Sequence, residues 1–504
     1  MRKCLIAILS MYCVAAVGAS GASGVSGAVG ASVAGDASQQ QQQQERVDTV
    51  RADTVRALRK RPVAAAFETL GINAGVWAFD RFALNADYAQ ISLGTMKRNL
   101  RHSLVWDNDM FLTNLFLHPY QGGMYYNAAR TNGMNEGASW LYAVAGSLSW
   151  EYLFECELPS LNDFISTPIG GFALGEMSYR LANVLTDSRT TGWERFGREF
   201  LGAVVNPVNG LTRIISGEAW KTRPYSGKTI ANQPVHFAVT AGYRGLSESR
   251  EIRIDNAAYM DLRLLYGNVF FAENEHPYDA FILSTTLNLF SYQPLMSSFN
   301  LVGEIWGRNV PLRNEHLDFH WGVFQHFDYY DSKTIDGQPH TNTYRISEVA
   351  AFGLGEQFRY SLSDKTFIVS SAFLNAVLLG GSVTDYYNVE GRDYNLSSGF
   401  SSKLNIGFIF NEKASLTAIA ENYRLFTMNR DDGVSDASPT SENLRGDEGN
   451  VMYSVIKLNF NYFFTHNYYL AFSSSAYLRD SRYDAHPNVH TRILDSRLGF
   501  GYLF

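Results

Sequence analysis

The chain has 504 residues, with 42 Lys plus Arg against 49 Asp plus Glu and a formal net charge of −7, which argues against a nucleic-acid partner. A mean hydropathy of −0.16 with 14% aromatic residues excludes a bundle of apolar membrane helices. It does not exclude strands that spend only alternate residues on lipid.

At the start, Arg2 and Lys3 precede an apolar run from Cys4 to Val17 and the small residues Gly18, Ala19 and Ser20. This reads as a cleaved secretory signal over residues 1–19, with an apolar core too short to span a bilayer. Its loss would leave Cys156 as the one cysteine, a packed small residue without a disulfide partner. Residues 20–62 are low in complexity, with the run Gln39 to Gln44 and Asp-Thr-Val-Arg written twice, at 48–51 and 53–56. Such a segment buries too little apolar surface to offset its ordering entropy and is expected to be a disordered linker, with at most a short helix near 46–60.

Residues 63–232 carry helical periods. Phe111, Leu115 and His118 recur at i, i+4 and i+7, and Trp140 to Leu153 and Ile169 to Leu185 continue the pattern. Glycines 122, 123, 170 and 171 and prolines 119, 159 and 168 are expected to break these helices into pieces. Because Glu151, Glu155 and Glu176 interrupt the apolar stretches, the segment reads as a compact helical domain on the periplasmic side of an outer membrane or within a barrel lumen.

The polar motifs of this domain are Trp106-Asp107-Asn108-Asp109, His118-Pro119-Tyr120, Tyr126-Asn127-Ala128-Ala129-Arg130, Trp150-Glu151-Tyr152 with Glu155, Pro159-Ser160-Leu161-Asn162-Asp163 and Gly175-Glu176. In this order they resemble the domain-of-unknown-function family 3943 of exported bacterial proteins. The resemblance covers roughly residues 90–190, with an echo at Gln325-His326-Phe327-Asp328-Tyr329-Tyr330. The family brings no established activity or catalytic residues, so each motif stands on its own chemistry. Glu151 and Glu155 lie four apart, where like charges repel. Arg130 is the expected bidentate partner; a divalent cation held with Asp107, Asp109 or His118 is the sharper alternative. His118 before Pro119 reads as a capping or packed histidine at a helix end, and Ser160 with Asp163 as a capping box. A hydrolytic arrangement of Ser160, His118 and a carboxylate is the enzyme alternative.

From residue 233 to 504 the period is two. Leu458, Phe460, Tyr462 and Phe464 oppose Lys457, Asn459 and Asn461, and Leu494, Leu498, Phe500, Tyr502 and Phe504 oppose Asp495, Arg497, Gly499 and Gly501. About twelve such strands are expected. Short connections at Asn411 to Lys413 and Thr465 to Asn467 alternate with long ones at Asp331 to Thr343, Val383 to Leu396, Met428 to Asn450 and Asp480 to Arg492, the parity of short inner turns and longer outer loops. The fold class is therefore α+β: an antiparallel transmembrane β-barrel of about twelve strands preceded by a helical domain, with the last strand pairing with Val235 to Tyr243. His316, Asp318, His320, His326 and Asp328 share one parity and are expected to face the lumen as a polar cluster; structural hydration or plug contact is the plain reading, and a transition-metal site or a general base at His326 is the sharper one.

The expected function is a plugged or gated conduit, or a binding barrel for a small or lipidic molecule, in the outer membrane of a Gram-negative envelope. A lipid hydrolase or acyltransferase and a non-enzymatic scaffold are the alternatives. Expected partners are outer-membrane lipids and the barrel-assembly machinery that reads a strand ending in Phe504. No cofactor, bound metal or nucleic acid is expected.

Overall fold

A computed structural model describes residues 56, 58–107, 109–231, 233–248, 251–270, 274–289, 293–332, 344–388, 392–428 and 446–504. The signal, nearly all of the linker, and most of the connections at 331–343 and 428–450 lie outside them. The described residues form two compact units, one helical and one a barrel beginning at residue 233.

The helical unit contains α1 (Pro62–Phe79), α2 (Leu93–Asn99), α3 (His118–Thr131), α4 (Glu136–Ser149), α5 (Leu161–Leu185), α6 (Gly192–Val205) and α7 (Pro207–Ile215), with π-helical turns at Asp80–Leu84, Thr113–Leu117 and Trp150–Phe154. Starts follow capping chemistry: the side chains of Ser92, Asn135, Ser160 and Asn206 each accept a backbone N–H three residues on. No described helix is long and apolar enough to cross a membrane.

The expected fragmentation occurs at Pro159, which lies in the break before α5, and Pro119 stands in the first turn of α3, but it does not occur at Pro168 or at the glycines. Helix α5 runs through Pro168, Gly170 and Gly171, and α3 runs through Gly122 and Gly123. The glycines are packing devices instead. A Cβ on Gly122 would collide with the Thr167 carbonyl and one on Gly171 with the backbone of Gly122, so their absence lets α3 and α5 touch backbone to backbone. That contact brings the polar faces of the two helices together.

The barrel has twelve antiparallel strands: β1 (Val235–Glu248), β2 (Glu251–Tyr266), β3 (Phe281–Leu289), β4 (Met296–Val310), β5 (Leu317–Asp331), β6 (Arg345–Ser363), β7 (Thr366–Val383), β8 (Tyr394–Phe410), β9 (Ala414–Thr427), β10 (Gly449–Phe463), β11 (Tyr468–Tyr483) and β12 (Val489–Leu503). Strand β12 pairs with β1 from Ala238↔Leu503 to Glu248↔Ile493 and closes the cylinder, as expected. Closure removes the unpaired edge that lipid does not tolerate. Outward rows are apolar and exposed, among them Leu494, Leu498 and Phe500 on β12 and Ile456, Leu458 and Phe460 on β10. At the end where the barrel begins and ends, Phe464, Tyr468, Phe500, Tyr502, Phe504 and Phe237 form a chain of ring contacts 4.6–6.1 Å apart. Such an aromatic band is a feature of outer-membrane β-barrels, whose closed antiparallel fold this unit has.

The loop parity fails in the first third. The β1–β2 connection at the far end is short, whereas β2 and β3, at the near end, are joined by residues 267–280. Asp480 to Arg492 is not a long loop either, because the ladder continues through Asp480↔His490 and Ser481↔Val489.

Candidate functional site

Two polar centres emerge, one in each unit. In the helical unit the first is built from helix starts and π turns. A π turn inserts an extra residue and rotates the helix beyond it, a device found frequently at functional sites. The π turn Thr113–Leu117 lies within one unbroken helical stretch from 111 to 131 and sets His118 directly after it, so this histidine neither ends nor caps a helix but is packed inside one. The turn Trp150–Phe154 carries Glu151, and the first turn of α5 carries Asp163. His118, Glu151 and Asp163 are buried, and a ligating atom of each lies within 4.8 Å of the others.

Their surroundings fix their orientations. Ser160 N–H donates to Glu151 Oε2 at 2.7 Å, Asn162 Nδ2 to Asp163 Oδ1 at 3.2 Å, and Asn114 Nδ2 to Asp107 Oδ1 at 2.8 Å. His118 Nε2 stands 3.5 Å from Asp109 Oδ2 and 3.7 Å from Asp163 Oδ2. Burial, opposed by His118 and by the Ser160 N–H, pushes Glu151 up to about 8. Burial and then the neighbouring Asp107 raise Asp163, whereas Asp107, despite its own burial, is drawn down to about 2 by hydrogen bonds with Asp163, Asn114 and Ser160. Burial followed by repulsion from Glu151 raises Glu155, which accepts the Trp150 indole N–H at 2.9 Å.

Arg130 is not the partner of Glu151 and Glu155. It grips Glu176, Nε to Oε2 at 2.8 Å and Nη2 to Oε1 at 2.9 Å, and also reaches Glu136 at 3.0 Å. Tyr126 OH and Arg180 Nε complete the shell of Glu176 at 2.7 and 2.9 Å. Glu176 thus belongs to a structural clamp between α3 and α5. Sequence spacing favoured Glu151 because its repulsion with Glu155 demanded a cation, but the α3–α5 contact sets Arg130 beside a different glutamate.

Ser160 caps α5, but the expected capping box with Asp163 is only half formed, because the Ser160 N–H donates to Glu151 and not to the Asp163 side chain. Ser160 Oγ accepts the Asp163 N–H at 3.2 Å. Of the capping and hydrolytic alternatives for this serine, the geometry supports the cap.

The second centre lies in the barrel lumen. Asp318, His320, His326 and Asp328 do face inward, because the irregularities beside β5 are taken up by extra residues on β4 and β6 and leave its own alternation intact. His316 does not join them; it is exposed in the turn before β5, which begins one residue later. The inward residues divide further. Asp318 pairs with Arg359 at 2.6 Å, and His320 bonds Asn309 at 3.0 Å while standing 3.1 Å from Glu304, out of line for a hydrogen bond. His326 and Asp328 belong to a cross-lumen network that sequence parity could not assemble. Lys403 of β8 donates to Asp328 at 2.6 Å, to His326 Nδ1 at 3.0 Å and to Glu348 of β6. Lys457 of β10 bonds Tyr330 at 2.8 Å and Glu421 at 3.1 Å.

Above this network, toward the far end, the lumen is packed. Tyr344, Tyr423, Tyr453, Tyr477, Ile346, Val455 and Ile493 are among a buried cluster. Tyr344 stacks on Tyr477 at 3.9 Å, and Arg244 of β1 reaches across to the Tyr344 hydroxyl at 2.6 Å while pairing with Asp495. Below it, a cavity of about 110 Å³ has apolar walls from Val302, Phe358, Val369, Phe373 and Ile419 and a polar side from His326, Asp328, Lys403, Glu421 and Lys457. His326 Nε2 is buried and has no hydrogen-bond partner.

Solved structures share the barrel architecture at low similarity. OmpT of Vibrio cholerae is 9% identical over 54% of this chain and 97% of that one, with a TM-score of 0.23. The toluene transporter TodX of Pseudomonas putida is 9% identical over 53% and 88%, TM-score 0.22, and the NanC porin 8% over 52% and 98%, TM-score 0.25. At such scores they carry no argument about what this chain does. No curated protein matches it. The helical centre has a family counterpart: residues 103–208, which hold His118, Arg130, Glu151, Ser160, Asp163 and Glu176, match the model of the family described as Domain of unknown function (DUF3943).

Proposed function

We propose that the barrel resides in the outer membrane and binds a small amphipathic molecule in its lumen, with the far half of that lumen closed by its own side chains. The observation that carries this reading is the position of the 110 Å³ cavity beneath the tyrosine cluster. A conduit needs a continuous wet path, and stacked Tyr344 and Tyr477 tied to Arg244 oppose one. A scaffold would pack the whole lumen, leaving neither a cavity nor a buried ring nitrogen without a partner.

Cavity size restricts the occupant to about one ring: a closed space of about 150 Å³ holds one benzene, and this cavity, at about 110 Å³, is smaller but open on one side, so that part of a ring would project from it. The mixed wall asks for an apolar body and a hydrogen-bonding head. The head would meet two ammonium groups and three carboxylates nearby, a balance that suits a neutral polar group better than an ion. Outward apolar rows would contact outer-membrane lipids, and the assembly machinery would read the strand that ends in Phe504. The hydrolase alternative lacks support at Ser160, whose oxygen is engaged with the start of α5.

Phenol, with benzene as the control lacking a hydroxyl, is a suitable probe for calorimetry on the full chain in detergent. Tighter binding of phenol than of benzene is expected, with the preference lost in His326→Leu and both ligands weakened by filling the cavity in Val369→Trp. Binding of neither probe, or binding indifferent to both substitutions, would overturn the reading.

A further inference from the structure

We propose that His118, Glu151 and Asp163 of the helical unit bind one divalent first-row transition-metal ion, with Asp107 and Asn162 orienting the aspartate. The proposal is independent of what the barrel binds.

Geometry is the first support. The three ligating atoms come from three separate elements and converge within 4.8 Å in a buried place. Ligands on a tetrahedral ion at about 2.0–2.2 Å stand roughly 3.4 Å from one another. His118 Nε2 lies 3.7 Å from Asp163 Oδ2 and 3.5 Å from Asp109 Oδ2. The Asp163 separation is too long for a hydrogen bond and suits two ligands that share one ion. Asp109, which is not one of the three ligands, makes a long hydrogen bond to the same nitrogen that an ion would replace.

Charge balance is the second. Glu151 and Asp163 are 1% and 2% exposed. Among the described residues, the cation-capable group that meets either of them is His118. Buried carboxylates are costly without a compensating positive charge, and a dication supplies two.

The surrounding contacts match those of a built metal site, in which partners outside the ligands fix ligand direction. Ser160 N–H occupies Oε2 of Glu151, leaving Oε1 for the ion, and Asn162 holds Oδ1 of Asp163 with Oδ2 toward His118. An imidazole in the set favours zinc, nickel or iron(II) over magnesium, calcium or manganese, which prefer oxygen.

The test strips the full chain in detergent with a chelator and titrates it with Zn²⁺ and Ni²⁺ by calorimetry, with Mg²⁺ and Ca²⁺ as parallel arms. One Zn²⁺ or Ni²⁺ per chain is expected, together with a rise in the melting temperature of the helical unit. His118→Gln and Asp163→Asn should each weaken binding at least tenfold; circular dichroism verifies that the variants fold. Should neither variant fold, the wild-type stoichiometry and metal-dependent melting decide alone. No ion bound by the wild type, undiminished binding in both folded variants, or equal affinity for Mg²⁺ and Ca²⁺ would overturn the proposal.

Discussion

Arg130 holds Glu176 by both carboxylate oxygens, at 2.8 and 2.9 Å, across the contact between α3 and α5, and its guanidinium also sits 4.7 Å from the centre of the Tyr179 ring. Glu176 is fully buried and Arg130 nearly so, so that the pair is satisfied only where the two helices touch. Gly122, Gly171 and Gly175 permit that contact, because a Cβ at any of them would strike the opposing helix. The clamp therefore fixes the frame in which His118 on α3 and Asp163 on α5 meet.

Removing one member of this pair should be severe. Arg130→Ala leaves Glu176 with the single cation Arg180, and breaking a buried pair typically costs about 3–5 kcal/mol. Denaturant unfolding of the helical unit, followed by circular dichroism in the full chain, should show that loss. A change below about 1 kcal/mol would mean that Arg180 and Tyr126 suffice.

The same clamp gives an acid limit. Although burial opposes it, Arg130 and Arg180 hold the Glu176 carboxyl down to about 2 from the ordinary 4.5. A depressed carboxylate contributes stability that is fully present above the unfolded value and is lost as pH falls through the folded one. A tenfold change in an ionisation constant is worth about 1.4 kcal/mol, so the contribution is about 3 kcal/mol. It should disappear between pH 4.5 and about 2. Melting temperatures across that window should fall more steeply in the wild type than in Glu176→Gln.

Ser160→Ala removes the cap of α5 but keeps the backbone N–H that serves Glu151. A loss of about 1 kcal/mol is expected, as for other caps. Purified protein offered phospholipid should release no acyl chains before or after the substitution. Turnover that vanishes in Ser160→Ala would reinstate the hydrolase.

Lys403 neutralises Asp328 and Glu348 within the lumen. Lys403→Met would leave both carboxylates facing each other near His326. Barrel insertion, set by the outward apolar rows, should persist, while resistance of the folded barrel to heat in detergent, read by gel mobility, should drop. Unchanged heat resistance would show that the network contributes little.

Legibility in the sequence depends on the range of the interaction. Alternation is local, so Leu494, Leu498 and Phe500 could be set against Asp495 and Arg497 without any tertiary information, and closure with β1 came from the intolerance of lipid for an edge. The capping of α5 by Ser160 was legible for the same reason, since donor and acceptor are three residues apart. Partners distant in the chain were not. Arg130 and Glu176 are joined by a helix contact that depends on glycines first read as breakers, because a glycine marks both a helix stop and a close approach. His316 was misplaced because parity does not say where a strand begins. Lys403 and Glu348, which organise the lumen, gave no signal beyond being polar on an inward row. The convergence of His118 with Asp163 required the π turn before α3, which no periodicity announces.

The closed far half of the lumen is tested most directly by single-channel recording of the full chain in a planar bilayer at high salt. The wild type should show no conductance steps, and the double substitution Tyr344→Gly with Tyr477→Gly, which removes the stacked rings, should create them. Steady porin-like conductance in the wild type, unchanged by that double substitution, would contradict the binding-barrel account.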